Sequence, residues 1–86
     1  MKIRRKSSFD RAYRKLTEGQ RDSVDQALIL FEQNPFDLRL RNHKLSGGHE
    51  GVRSIHAGYD LRILYVEIDK HAVVLLIAVG THDAVY

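Results

Sequence analysis

Residues 51–80, GVRSIHAGYDLRILYVEIDKHAVVLLIAVG, decide the fold. Val, Ile, Leu and Tyr crowd three runs, 52–56, 61–68 and 72–79, and the breaks between them, Ala57-Gly58-Tyr59-Asp60 and Asp69-Lys70, are short. β-Branched and aliphatic runs bounded by turn residues predict strands, and connections this short predict antiparallel neighbours. With Asp69-Lys70 as a hairpin turn and residue 68 opposite 71, Arg62, Leu64, Val66 and Ile68 share a face with Val73, Leu75, Ile77 and Val79, and that face is expected to be the core. The other face then carries Leu61, Ile63, Tyr65, Glu67, Val74, Leu76 and Ala78, joined by Ser54 and His56 if 56 pairs with 61. It is expected to be mixed and partly open, able to hold a site or a partner.

Upstream, the period changes from two to 3.6. Phe9, Ala12, Tyr13 and Leu16 form one helical stripe, with Ser7 or Ser8 in position to cap it. Thr17 and Gln20 have capping-box spacing, and Val24, Ala27, Leu28 and Phe31 continue a second stripe over 18–33 until Asn34-Pro35 stops it. Residues 38–45 offer a further extended segment, Ser46-Gly47-Gly48 a loop, and residues 2–5 an edge strand. The predicted class is α+β: an N-terminal helical hairpin packed on one face of a small antiparallel sheet, with residues 1–86 as a single domain.

Composition narrows the function classes. At 86 residues the chain has no room for a second core, and 43% apolar with 29% charged residues is an ordinary globular balance. Cysteine is absent, which removes disulfides and thiolate zinc sites and fits a reducing cytoplasmic compartment. The basic amino terminus is not followed by an apolar stretch, and the run 72–79 is too short to span a bilayer, so no membrane role is expected. The net charge of +3 conceals segregation: residues 1–16 hold seven basic groups against Asp10 alone, and 17–38 hold five acids against Arg21. Residues 39–62 are basic again, with five cations against Glu50 and Asp60. Separated basic blocks suit either a solvated face or a polyanion-binding surface, depending on whether the fold joins them.

Five histidines are the chemically distinctive content: His43, His49, His56, His71 and His82. Their spacing lacks an i, i+4 pair and an HExxH motif, so no metal is expected, and His71 is read as a solvated turn residue. No nucleophile elbow or phosphate-cradling glycine loop is present, which leaves no sign of covalent hydrolysis, of nucleotide binding or of any cofactor. His43, His56, Asp60 and His82, with Arg53 and Arg62, can between them remove a proton, donate one and hold a phosphate. Those are the requirements of RNA cleavage by the RNA's own 2′-hydroxyl.

At these residues the sequence resembles a known family. Asn42-His43-Lys44-Leu45, then Arg53-Ser54-Ile55-His56-Ala57-Gly58-Tyr59-Asp60, Ile63-Leu64-Tyr65 and the closing Gly80-Thr81-His82-Asp83-Ala84-Val85-Tyr86 look like the YafQ-like branch of the RelE/ParE toxin superfamily. The resemblance covers about the whole domain. It implies a ribosome-dependent mRNA endoribonuclease, the toxin of a type II toxin–antitoxin pair, with a cognate antitoxin and ribosome-bound mRNA as cytoplasmic partners and rRNA contacts through the basic segments. It further implies catalytic roles for His43, His56, Asp60 and His82, with His43 as base and His82 as acid. Arg53, Arg62, Lys44 and Tyr86 are expected to bind substrate, Tyr86 standing where the family's aromatic is often Phe.

Two residues before Gly80-Thr81-His82 the pattern usually has Arg, and here Ala78 stands in its place. A guanidinium missing from the phosphate site costs on the order of a hundredfold in rate unless another cation reaches in. Arg53 and Arg62 are the available cations, and the same parity puts both on the core-side face. Ala78 therefore also admits a ParE-like or catalytically weakened member that binds a protein, gyrase or its antitoxin, without cutting RNA. A plain RNA-binding module is disfavoured by the few aromatics on basic strands.

Overall fold

The Thr17 hydroxyl accepts from Gln20 N at 3.1 Å while the Gln20 side chain accepts from Thr17 N at 2.9 Å, so the expected capping box closes. It starts the longer helix at the residue the sequence indicated. The structure, a computed structural model, describes residues 1–70 and 72–86; the reading of His71 as a turn residue falls outside the described residues. In chain order the elements are β1 (Lys2–Arg5), α1 (Ser7–Arg14), α2 (Glu18–Gln33), a 3-10 turn (Leu38–Leu40), β2 (His43–Lys44), β3 (Val52–His56), β4 (Leu61–Asp69), β5 (Val73–Thr81) and α3 (His82–Val85). The class is α+β, as read.

The strands form one sheet in the order β1-β5-β4-β3-β2. β2 to β5 are antiparallel neighbours, but β1 lies parallel to β5, which makes the sheet mixed instead of wholly antiparallel. A strand that enters through a long helical excursion is free to pair in parallel, where a short hairpin loop is not.

The expected β4/β5 register is corrected. Leu61 pairs with Thr81 and Leu64 with Ala78, then the register shifts so that Tyr65 pairs with Leu76. Ile77 is the skipped residue, and its freed carbonyl accepts a hydrogen bond from Ser8 Oγ at 2.9 Å. That also corrects the cap reading: Lys6 is the N-cap of α1 and supplies no side-chain bond, because the nearby serine serves the bulge.

The faces are exchanged as well. Leu61, Ile63, Tyr65, Val74 and Leu76, expected on the open side, are buried against Phe9, Val24, Ala27 and Phe31 of the two helices. Arg62, Val66 and Leu75 point away from the helices, and Ile68 is exposed. A face carrying Arg62 and His56 cannot be roofed by apolar helices without stranding charge, so the face with four large apolar groups and Tyr65 is the one covered. Tyr65 meets Phe31 edge-on at 4.8 Å, and its hydroxyl accepts from Asn42 Nδ2 at 2.7 Å. The stretch 38–45 is extended only at 43–44: Asp37 caps the 3-10 turn, Leu40 is buried beneath it, and Arg41 turns the chain into β2.

Candidate active site

Register places the chemistry. His43 pairs with Ser54, Ser54 with Leu64 and Leu64 with Ala78, while His56 pairs with Arg62 and Arg62 with Gly80. Directly opposed residues project from the same side of a sheet. His43, His56 and Arg62 therefore share the outward face with Ala78, at the end of the sheet where α3 begins. The pairing of 56 with 61 is corrected to 62, and Arg62 moves from the expected core side to a place beside His56.

The His43 ring lies 6.4 Å from that of His56, nearly perpendicular to it. Its Nδ1 is 2.8 Å from the carbonyl of Arg41. A carbonyl only accepts, so Nδ1 carries the proton and the neutral ring presents an unprotonated Nε2. The geometry depends on Arg41, held in the left-handed region at φ 49° and ψ 46° with its N–H bonded to Leu38 O. A non-glycine residue there costs of order 1 kcal/mol, which the buried Leu40 on one side and the Asn42 network on the other sustain. Asn42 donates to Pro35 O and to Tyr65 Oη and accepts from Arg53 Nε at 2.8 Å.

His56 is half-buried, and burial pushes its pKa below the ordinary histidine value; the charges of Arg62, Arg41, His43 and His82 push it further the same way. Folding thus disfavours its protonated form. The unfolded chain takes up the proton near pH 6.5, the folded chain only at lower pH, so this contribution to stability is present above about pH 6.5 and falls away as the solution is acidified. Urea unfolding is expected to show a smaller loss of stability between pH 7.5 and 5.5 for His56→Gln than for the unaltered chain. Identical losses in both would mean that neither burial nor the neighbouring charges act on the ring.

The third histidine arrives on α3. Thr81 accepts from Ala84 N and starts that short helix, and His82 N donates to the Asp60 carbonyl at 3.1 Å, tying α3 to the β3–β4 loop. The His82 ring packs edge-on against Tyr86 at 4.5 Å, with Nδ1 3.3 Å from an Asp83 carboxyl oxygen. The Tyr86 hydroxyl forms a hydrogen bond with Ser54 Oγ; Ser54 is wholly buried, and Leu64 beside it in the sheet is almost so. Asp60 is exposed, and it meets His82 through its backbone carbonyl.

Arg53 and Lys44 stand elsewhere. They pair with each other across β2 and β3 on the helix side of the sheet, and the Arg53 guanidinium lies 5.3 Å from the Phe36 ring centroid. Both line a separate groove with Leu45, Glu50, Gly51 and Glu67. The fold thus gathers His43, His56, His82, Arg62 and Tyr86, touches the group through the Asp60 backbone, and leaves Arg53 and Lys44 outside it. Sequence reasoning missed Arg41 and Ser54. Arg41 was legible in principle as a cation two residues before a histidine; Ser54 carried no such signal, since its role is set by where Tyr86 returns. The basic blocks lie on opposite edges, β1 and β2, although Lys2 and Arg4 point to the same outward side as His56. Among the described residues no helix is long and apolar enough to cross a membrane.

The family model described as the YafQ bacterial toxin of type II toxin–antitoxin systems matches residues 1–86. No curated protein matches in sequence. Among solved structures, YafQ from E. coli strain BL21(DE3) superposes with a TM-score of 0.80 at 18% identity, covering 98% of this chain and 96% of that one. A YoeB/ParE toxin from Agrobacterium tumefaciens gives 0.76 at 18% identity, covering 95% and 99%. A chain of the E. coli DinJ–YafQ complex gives 0.67 at 20% identity, covering 98% and 96%. At these identities the structural likeness is one of fold.

Proposed function

The chain belongs to the YafQ family of bacterial toxins of type II toxin–antitoxin systems, and from that premise we propose that it cleaves mRNA on the ribosome by attack of the RNA's own 2′-hydroxyl. The observation that carries the reading is the bond from His43 Nδ1 to the Arg41 carbonyl, which leaves Nε2 free to take a proton beside a half-buried His56 whose charged form the fold disfavours. In the proposed reaction Nε2 removes the 2′-hydroxyl proton and the oxygen attacks the adjacent phosphorus. The bond to the 5′-oxygen breaks as His82 donates a proton to it. A 2′,3′-cyclic phosphate and a 5′-hydroxyl end result, and the step needs no cofactor. Tyr86, held by Ser54, keeps the His82 ring in place. His56 and Asp60 orient the phosphate and balance its charge.

Arg62 is the cation at the phosphate. Its side chain enters from β4, opposite His56 and one step along the sheet from Ala78, and so meets the need left by the alanine. Arg62→Ala is expected to lower cleavage of mRNA on translating ribosomes by roughly a hundredfold, and Ala78→Arg in that background to restore part of it. Unchanged cleavage by Arg62→Ala would remove the arginine from the site. Residues 1–86 act as one toxin domain, restrained by a cognate antitoxin as YafQ is complexed with DinJ in E. coli. The substrate makes it cytoplasmic, with Lys2, Arg4 and the cations around His56 contacting rRNA. Ala78 favours one alternative, a toxin that binds gyrase or another protein and cuts nothing. Inhibition of DNA supercoiling together with intact mRNA would establish that alternative in its place.

A further inference from the structure

Tyr59 is 99% exposed, a large apolar ring with no packing role, at the tip of the β3–β4 loop. The loop beneath it is nevertheless fixed. Gly58 takes φ 93°, where a side chain would be strained, the Tyr59 carbonyl accepts from Arg62 Nη1 at 3.4 Å, and the Asp60 carbonyl accepts from His82 N. The ring is thus exposed on a loop whose backbone is hydrogen-bonded to two groups of the proposed reaction site.

Tyr59 borders an open groove whose other walls are Arg39, Arg41, His56, Gly58 and Arg62. Asp37 engages Arg39 at two points, 3.0 and 2.9 Å, and largely neutralises it. Among the described residues Arg41 and Arg62 have no carboxylate partner, and Asp60 on the same loop pairs with neither. An exposed aromatic face beside an unpaired guanidinium matches a ligand that is flat at one end and anionic at the other. A nucleotide has both features.

The geometry points to Tyr59 and Arg41 as a subsite for the nucleotide adjoining the cut phosphate, the tyrosine ring stacking on its base and Arg41 holding its own phosphate. This rests on the RNA-cleaving reading above and adds to it a contact with the base, beyond those with the reacting atoms. It makes Tyr59 a determinant of how tightly the neighbouring nucleotide is gripped, with larger purine faces held better than pyrimidines.

The test is NMR titration of the purified protein with an RNA trinucleotide whose first two sugars are 2′-deoxy, so that it binds without being cut. Versions lacking the first base or the second base, the two that flank the first linkage, are compared. Tyr59→Ala is expected to weaken the complete trinucleotide about tenfold, and to leave unchanged the affinity for one of the two abasic versions; Tyr59→Phe keeps wild-type affinity. Arg41→Ala is expected to weaken all versions alike and to reduce the salt dependence. Equal losses for complete and abasic versions, no loss, or no binding of any oligonucleotide at millimolar concentration would overturn the subsite. Cleavage on ribosomes is assayed in parallel. Stacking without cleavage would sink the enzymatic reading and keep the subsite, and cleavage without stacking would do the reverse.

Discussion

His43→Ala is expected to lower the rate of mRNA cleavage by about 10²- to 10⁴-fold, the range that loss of a positioned general base produces. His43 is exposed at the edge strand β2 and has no part in the core, so its removal should leave folding and ribosome binding within about threefold of normal. The size of the effect follows from its tautomer. The Arg41 carbonyl holds an Nδ1–H, so in the neutral ring Nε2, the nitrogen proposed to meet the substrate, is the one without a proton; His82 is held similarly, but at 3.3 Å and by the exposed Asp83 carboxyl. Cleavage by His43→Ala within threefold of the unaltered rate would show that the proton goes elsewhere. Retained binding with lost cleavage separates this outcome from simple misfolding.

Phe31→Ala is expected to destabilise the fold by about 3–5 kcal/mol, the cost of a large buried aromatic replaced by a methyl group and a cavity. Phe31 is wholly buried on α2 and meets Tyr65 edge-on, so it joins the helical layer to the sheet at its middle. A domain of this length has roughly 4–13 kcal/mol of stability, and the single change removes a large part of it. The melting temperature should fall by about 15–30 °C, measured by circular dichroism in a His43→Ala background so that toxicity does not limit expression. A fall of less than 5 °C would mean that α2 is not a principal cover of the sheet. Asn42 would feel the loss too, because its partner Tyr65 packs on Phe31, and the mount of His43 should loosen before global unfolding.

Local signals in the sequence led to local structure. Thr17 and Gln20 stated where α2 begins, Asn34-Pro35 where it ends, and the β-branched runs where three strands lie. What was not legible depended on long-range choices. Nothing in residues 61–79 says that Ile77 is skipped; the bulge is held by Ser8, 69 residues away in sequence. Once it is skipped, strand parity reverses partway along β5, so that Val79 joins Ile63 on the core face and Ala78 joins Leu64 on the outward one. On β4 the buried face is set by which side the helices cover, and the opposite choice of face had placed Arg62 with the core. The site residues were named from type and spacing, and the histidines do converge, but the difference between Arg62 and Arg53 is a difference of strand position that composition does not encode. Tyr59 was seen only as a turn residue; its interest lies in its exposure on a fixed loop.

The chemistry of the RNA ends tests the account most directly. Purified protein is added to ribosomes translating a defined message, and the fragments are examined for their termini. Attack by the 2′-hydroxyl requires a 5′-hydroxyl on the downstream fragment and a 2′,3′-cyclic phosphate on the upstream one, both absent when His43→Ala is used. Fragments with 5′-phosphate ends, or an intact message under conditions where the protein is folded, would contradict it.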